Sequence, residues 1–301
     1  MRKWKMVKLG DVFEKQITGE WGTECGVDDI GIKVLRTTNF TNLGIVVYTD
    51  VFIRKIEKNK ESSKRLKNGD IILEKSGGSD TQPVGRVVYF DKSNDLYLCN
   101  NFTQALRTYN EIAYAKYVFY FMFYQHKIGA TGLLQNKTTG IRNLQLKSYM
   151  NKIIPLPPLE EQKHIAYILD KASNLIDLRK QQLEKMDLLI KSKFIDMFGD
   201  PVTNPKGWNV EKLEKHIYVF GGYAFKSNGF STQGVPVLRI GNINSGFFKS
   251  TNLVFWNEDQ TLARYMLKPG DMIISLTGTV GKDDYGNICI LGNDYSKYYL
   301  N

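Results

Sequence analysis

Asp70, Glu74 and Lys75 are the first residues to suggest chemistry, because two carboxylates and a lysine can gather a metal ion and cut a phosphodiester. Their spacing does not suit that task. Glu74 and Lys75 are adjacent, and a related segment downstream keeps Gly270 and Asp271 but has Ser275 and Leu276 in their places. An aspartate that caps a turn explains both segments. GTVGK at 278–282 lacks the full G-x-x-x-x-G-K-[ST] spacing of a phosphate loop. FGGY at 220–223 has a glycine pair but no strand–turn–helix fingerprint after it. No Asn-Pro-Pro-Tyr segment of the adenine-methyltransferase type is present. His126, His164 and His216 fall in unrelated segments, with His164 expected at the surface. Cys25, Cys99 and Cys289 form no CxxC pair, so neither a zinc site nor a disulfide framework is expected. The reading is a chain with no catalytic residues and no metal site of its own.

The elements that carry these residues repeat. WKMVKLGDVF at 4–13 is matched by WNVEKLEKHI at 208–217, GIKVLRTTNF at 31–40 by GVPVLRIGNI at 234–243, and LKNGDIILEKSGGS at 66–79 by LKPGDMIISLTGTV at 267–280. Three blocks in the same order make a duplicated unit. V-L-R-x-x-N reads as a strand that leaves the core and delivers polar groups at its end. Gly-Asp before an apolar run reads as a turn and then a strand. Gly77, Gly78 and Gly278 read as loop positions where a backbone can approach a ligand closely. Each copy is expected to be a small strand-rich α+β domain. The apolar stretch at 114–124 is too short to span a bilayer and reads as a buried aromatic helix. The basic start, MRKWKMVKLGDVFEK, lacks the apolar core of a signal peptide.

Between the copies lies an uninterrupted helical segment. Pro157 and Pro158 precede it, Glu160 and Glu161 suit its first turn, and Gly199 with Pro201 closes it. Its length would be roughly 58 Å at 1.5 Å per residue. Leu169, Ile176, Leu183, Ile190 and Met197 recur every seventh position, and Ile165, Ala172, Leu175, Met186 and Leu189 widen the stripe. That period predicts a coiled-coil seam that needs a partner helix. The alternative is a helix packed along its own domains.

LPPLEEQKHIAYILD at 156–170, MFGDP at 197–201 and NPKGW at 204–208, together with the repeated V-L-R-x-x-N and Gly-Asp blocks, resemble the specificity subunits of type I restriction-modification enzymes. The resemblance covers essentially the whole chain. It implies an α+β fold with a first target recognition domain over 1–156, a conserved spacer helix over 157–200 and a partial second target recognition domain over 201–301. It further implies a non-catalytic, cytoplasmic subunit without membrane association. Each domain would read one half of a bipartite site on double-stranded DNA. The helix would set the gap and dock methyltransferase subunits, with a second copy as the other partner open to it. Restriction subunits would join the complex, and S-adenosylmethionine, ATP and magnesium would be held by the partners rather than by this chain. The second copy ends where the first has reached Cys99 or Asn100, so the rest of that domain and a second spacer helix are expected to be missing. Two other readings stay open: a coiled-coil scaffold that binds no DNA, and an inactive truncated or recombining cassette.

The resemblance directs attention to side chains able to read base edges or hold phosphates. In the first copy these are Arg36, Thr37 and Asn39; Lys75, Ser76 and Ser79; and Gln135, Lys137, Thr138 and Arg142. In the second they are Arg239, Asn242, Ser275, Thr277, Thr279 and Lys282. Arg36 and Arg239, shared by both copies, fit structural ion pairing equally well. The net charge of +10 over 301 residues suits a polyanionic partner without requiring one.

Overall fold

Short apolar runs, punctuated by glycine, asparagine and aspartate, become strands and tight turns at both ends of the chain. A computed structural model describes residues 4–26, 31–79, 82–138, 141–278, 280–281 and 285–301, with only the backbone of 137 and 138 described. It divides into two units, Met1–Met197 and Phe198–Asn301.

The first unit carries thirteen strands: β1 (Lys5–Lys8), β2 (Phe13–Thr18), β3 (Thr23–Glu24), β4 (Ile32–Leu35), β5 (Phe52–Lys55), β6 (Ile71–Glu74), β7 (Ser76–Gly78), β8 (Val87–Tyr89), β9 (Tyr97–Cys99), β10 (Thr103–Thr108), β11 (Gln135–Thr138), β12 (Ile141–Leu144) and β13 (Ile153–Leu156). Its helices are α1 (Lys58–Lys64), α2 (Ala115–Lys127), α3 (Leu146–Met150) and α4 (Leu159–Phe198), the last ending at the unit boundary. The strands form sheets ordered β2-β10-β6-β8, β3-β5-β4-β9 and β11-β12-β7, with β1 and β13 as a separate pair. The main core lies where α2 lays Tyr117, Val118, Phe119 and Met122 against Ile71, Leu73 and Val87. This is the aromatic helix expected at 114–124, although Tyr124 is exposed.

The second unit repeats the frame with β14 (Val235–Leu238), a single helical turn α5 (Ile240–Ile243), and strands β15 (Val254–Trp256), β16 (Met266–Leu267), β17 (Met272–Ile274), β18 (Ile288–Ile290) and β19 (Tyr298–Leu300). The antiparallel β4–β5 and parallel β4–β9 pairings recur as β14–β15 and β14–β19. β6 pairs β8 as β17 pairs β18. Even the glycine pair of FGGY has its counterpart. A Cβ on Gly19 would sit 1.9 Å from the Asn100 carbonyl oxygen, and one on Gly222 would sit 2.3 Å from the Asn301 carbonyl carbon. Those glycines let the chain pass against the end of the parallel strand. One block is not reproduced. Leu9 and Val12 are buried in the first unit, where β1 pairs β13, while Leu213 is 66% exposed in the second.

α4 is the expected helix. It runs for 40 residues, about 60 Å at the ordinary rise. Pro158 accepts from the N–H groups of Glu161 and Gln162, and Gly199 takes a left-handed φ of 80° just past the end. Among the described residues no helix is long and apolar enough to cross a membrane.

Candidate nucleic-acid interface

Two of the three polar clusters expected in the first copy come together on one sheet. β7 pairs β12 with Ser76 opposite Asn143 and Gly78 opposite Arg142, and β12 pairs β11 in a hairpin. The expected loop at Gly77 and Gly78 is thus a strand edge. Lys75 and Ser76 donate their backbone N–H groups to the Phe102 carbonyl at 2.9 and 3.1 Å, and Leu144 donates to the Lys75 carbonyl at 2.8 Å. Ser76 Oγ donates to Asn143 Oδ1 at 2.5 Å. Half-burial holds the Lys75 ammonium below the usual lysine range, since desolvation disfavours its charged form. Ser79 is exposed, Arg142 half-buried, and the exposed Phe102 borders the same edge.

The third cluster builds a turn of its own. Asn39 is 3% exposed. Its Oδ1 accepts from the Arg36 N–H at 2.9 Å, and its Nδ2 donates to the carbonyls of Val47 and Thr49. Asn242 repeats this in the second unit, accepting from Arg239 and donating to Lys249 and Thr251. The V-L-R-x-x-N asparagine is therefore a turn-builder, not a polar group delivered outwards. The arginines of the motif are held as well. Arg36 lies 3.8 Å from the Phe52 ring centroid and 3.3 Å from the Asp50 carboxylate, and Arg239 lies over Phe230. Each of these arginines keeps a buried Nε with no hydrogen-bond partner.

Two expected contacts in loops also prove internal. Gln135 turns its amide N–H groups onto the Val84 and Thr131 carbonyls. Ser275 is 3% exposed, and its hydroxyl accepts from the Asn287 N–H at 3.1 Å. Both shape the surface instead of presenting a group to it. Thr277 is exposed and Thr37 half-buried. Thr279 and Lys282 lie outside the described residues, as do the side chains of Lys137 and Thr138.

Sequence reasoning missed the pair that joins the clusters. Arg86 Nε donates to Glu74 Oε2 at 2.8 Å and Nη2 to Glu74 Oε1 at 3.1 Å. Nη1 donates to the Phe40 carbonyl and Nη2 to the Thr37 carbonyl, both at 3.2 Å. With the Gln82 amide oxygen turned towards the guanidinium, it accepts at 2.9 Å, and all five N–H donors of Arg86 are used. Arg86 also lines a polar cleft of about 250 Å³ together with Gln82, His126 and Lys127. Burial, with Arg86 and Lys127 nearby, holds His126 below the ordinary histidine range. The supposed nuclease residue Asp70 has a different task. Its carboxylate accepts from the Lys67 N–H at 2.7 Å and takes a two-pronged ion pair from Arg107. Asp271 caps the matching turn by accepting from Lys268 at 2.9 Å. Among the described residues no cluster of histidine, cysteine and carboxylates could hold a metal ion. Cys99 is buried, and burial pushes its thiol up to about 11.

The long helix offers a second surface. Its start is anchored. Gln162 is fully buried, accepting from the Tyr114 N–H at 2.8 Å and donating to the carbonyls of Ile112 and Pro157. Asp170 accepts from Lys116 at 2.7 Å and from the Tyr120 hydroxyl at 2.6 Å. Leu169 and Ile176 line an apolar groove of about 700 Å³ shared with Leu43, Ile45 and Phe123. Beyond it Leu183, Ile190 and Met197 are 63%, 68% and 60% exposed.

Known proteins match this frame. A family model for the type I restriction modification DNA specificity domain matches residues 1–187. The specificity subunit of the type I restriction enzyme MjaVIII of Methanocaldococcus jannaschii is 34% identical over 172 residues, covering 52% of this chain and 40% of that protein. The specificity subunit of the type I restriction enzyme EcoKI of Escherichia coli K12 is 26% identical over 262 residues, covering 81% of this chain and 54% of that protein. The crystal structure of the HsdS subunit from Thermoanaerobacter tengcongensis aligns over 100% of this chain and 76% of its own, with a TM-score of 0.44 and 17% identity. The chain thus spans about half the length of the curated relatives it matches. With the family model covering more than half of its residues, the chain belongs to the type I restriction modification DNA specificity domain family.

Proposed function

We propose that this chain reads DNA sequence for a type I restriction-modification complex and catalyses nothing by itself. The carrying observation is the duplicated frame with unlike loops. Both units hold the V-L-R-x-x-N turn by the same asparagine hydrogen bonds, yet the segments displayed beside it differ, with KSGGS at 75–79 against LTGTV at 276–280. A shared frame with different displayed residues suits the reading of two different half-sites. Lys75, Ser76, Ser79 and Arg142 are the contacts best supported in the first unit, and Thr277 in the second. The helix would set the unread gap and dock methyltransferase subunits along its exposed stripe. A second copy is the other candidate for that stripe. Restriction subunits would complete the assembly in the cytoplasm. S-adenosylmethionine, ATP and magnesium would be bound by those partners.

Titrating duplex DNA into the purified chain at several salt concentrations tests the DNA-facing half of this reading. Retardation should weaken steeply with salt, with a slope of about −0.9 for each phosphate neutralised. K75A and R142A should each reduce that slope by about one. Binding that ignores salt, or no retardation at all, would favour the scaffold alternative.

A further inference from the structure

The two units part company where their frames coincide. At the mouth of the loop between β6 and β8, the Glu74 N–H donates to the Arg86 carbonyl and the Gly85 N–H to the Glu74 carbonyl, both at 2.9 Å. At the mouth of the loop between β17 and β18, the Ser275 N–H donates to the Asn287 carbonyl at 3.0 Å and the Gly286 N–H to the Ser275 carbonyl at 2.7 Å. The same number of residues separates the members of each pair. The side chains at these two mouths are chemically unlike. Glu74 and Arg86 form an ion pair, 3% and 8% exposed. Ser275 and Asn287 are neutral.

They nevertheless perform the same mechanical task. Arg86 reaches from the loop mouth to the Thr37 and Phe40 carbonyls of the V-L-R-x-x-N turn. Asn287 Nδ2 reaches from its loop mouth to the Asn244 carbonyl at 2.7 Å. Asn244 follows the second turn as Thr41 follows the first. An ionic clamp in one unit and a neutral clamp in the other thus hold equivalent segments together.

We propose that Glu74–Arg86 and Ser275–Asn287 are interchangeable positioning pairs, each clamping the base of a DNA-reading loop onto its neighbouring turn without itself carrying sequence preference. The reading role rests on the function proposed above, while the clamping role stands without it. Interchangeability follows from the physics of burial. Removing one member of the first pair strands a buried charge, whereas replacing both by the neutral pair strands none.

The test compares E74S, R86N and E74S/R86N in the full chain by two readouts. The first is amide hydrogen exchange at Gly85, which needs no DNA. Each single variant should exchange on the order of 100-fold faster than the parent, and the double variant should return to within about 10-fold of it. Single variants that unfold while the double variant keeps its circular dichroism spectrum would support the clamp equally. Unchanged exchange in the single variants, or a double variant as fast as they are, would overturn it. The second readout is enrichment from a pool of random 30-bp duplexes. The double variant should select the same first half-site as the parent, and the folded single variants should lose that half-site while retaining salt-dependent binding. A double variant that selects a different half-site would refute the claim that the clamp pair carries no preference of its own. If the exchange results hold but the parent enriches no sequence, the clamp stands and the proposed reading function falls.

Discussion

Gln162 closes PLPPLEEQ with none of its side chain exposed, and it ties the start of α4 to the approach of α2 by two hydrogen bonds, with a third to Pro157 just ahead of the helix. Replacing it with leucine would leave the Tyr114 N–H and the Ile112 and Pro157 carbonyls without partners. Each such loss in a buried setting costs about 1–3 kcal/mol, so Q162L should destabilise the first unit by about 3 kcal/mol. Calorimetry should find its melting point lower by roughly 6–12 °C, at about 2–4 °C per kcal/mol for a unit of this size. A melting point within a degree of the parent would contradict the anchoring role. The glutamine belonged to a legible motif, but its role was not legible, because a polar residue beside two glutamates at a helix start looks like solvent-facing first-turn chemistry. The same limit applies to Asn39 and Asn242. Their presence in both copies marked them as important, and their type suggested base contact. Sharing between domains expected to read different half-sites is the stronger signal, and it points to the frame. The Glu74–Arg86 pair was invisible for the opposite reason: Arg86 lies outside the three repeated blocks and neither residue type recurs in the second copy.

Elements were more legible than contacts. Prolines at 157 and 158, glutamates at 160 and 161 and a glycine at 199 bracketed α4, because helix ends carry unsatisfied backbone groups that only certain residue types accommodate. The seven-residue stripe was legible too, yet only its beginning packs on its own unit. Ile165 leans on the first core and Ala166 is buried, while Leu183, Ile190 and Met197 touch solvent. Periodicity reveals that a face is apolar but not what covers it. If methyltransferase subunits cover it, L183E/I190E should leave the melting point nearly unchanged, since exposed substitutions usually fall within about 0.5 kcal/mol. The same variant should lose its partner in a co-purification. A partner still retained by L183E/I190E would place the docking surface elsewhere. The β11-β12-β7 sheet was the least legible element. QNKT and SGG carry no apolar alternation, and their pairing depends on a strand edge that only the folded unit supplies.

At the scale of the molecule, duplication was the most legible feature, and the structure reproduces it down to the strand order β5-β4-β9 against β15-β14-β19. The repeat departs around Leu213, which is exposed where its counterpart Leu9 is buried. The central claim is that two related units on one chain direct adenine methylation by reading DNA. The most direct measurement is to co-express the chain with a type I methyltransferase subunit and map methylated adenines across genomic DNA. The account predicts methylation confined to a split motif with a fixed gap, asymmetric if both units read, or palindromic if two copies pair and each supplies its first unit. Methylation without any sequence motif, or none at all although the partner is bound, would contradict it.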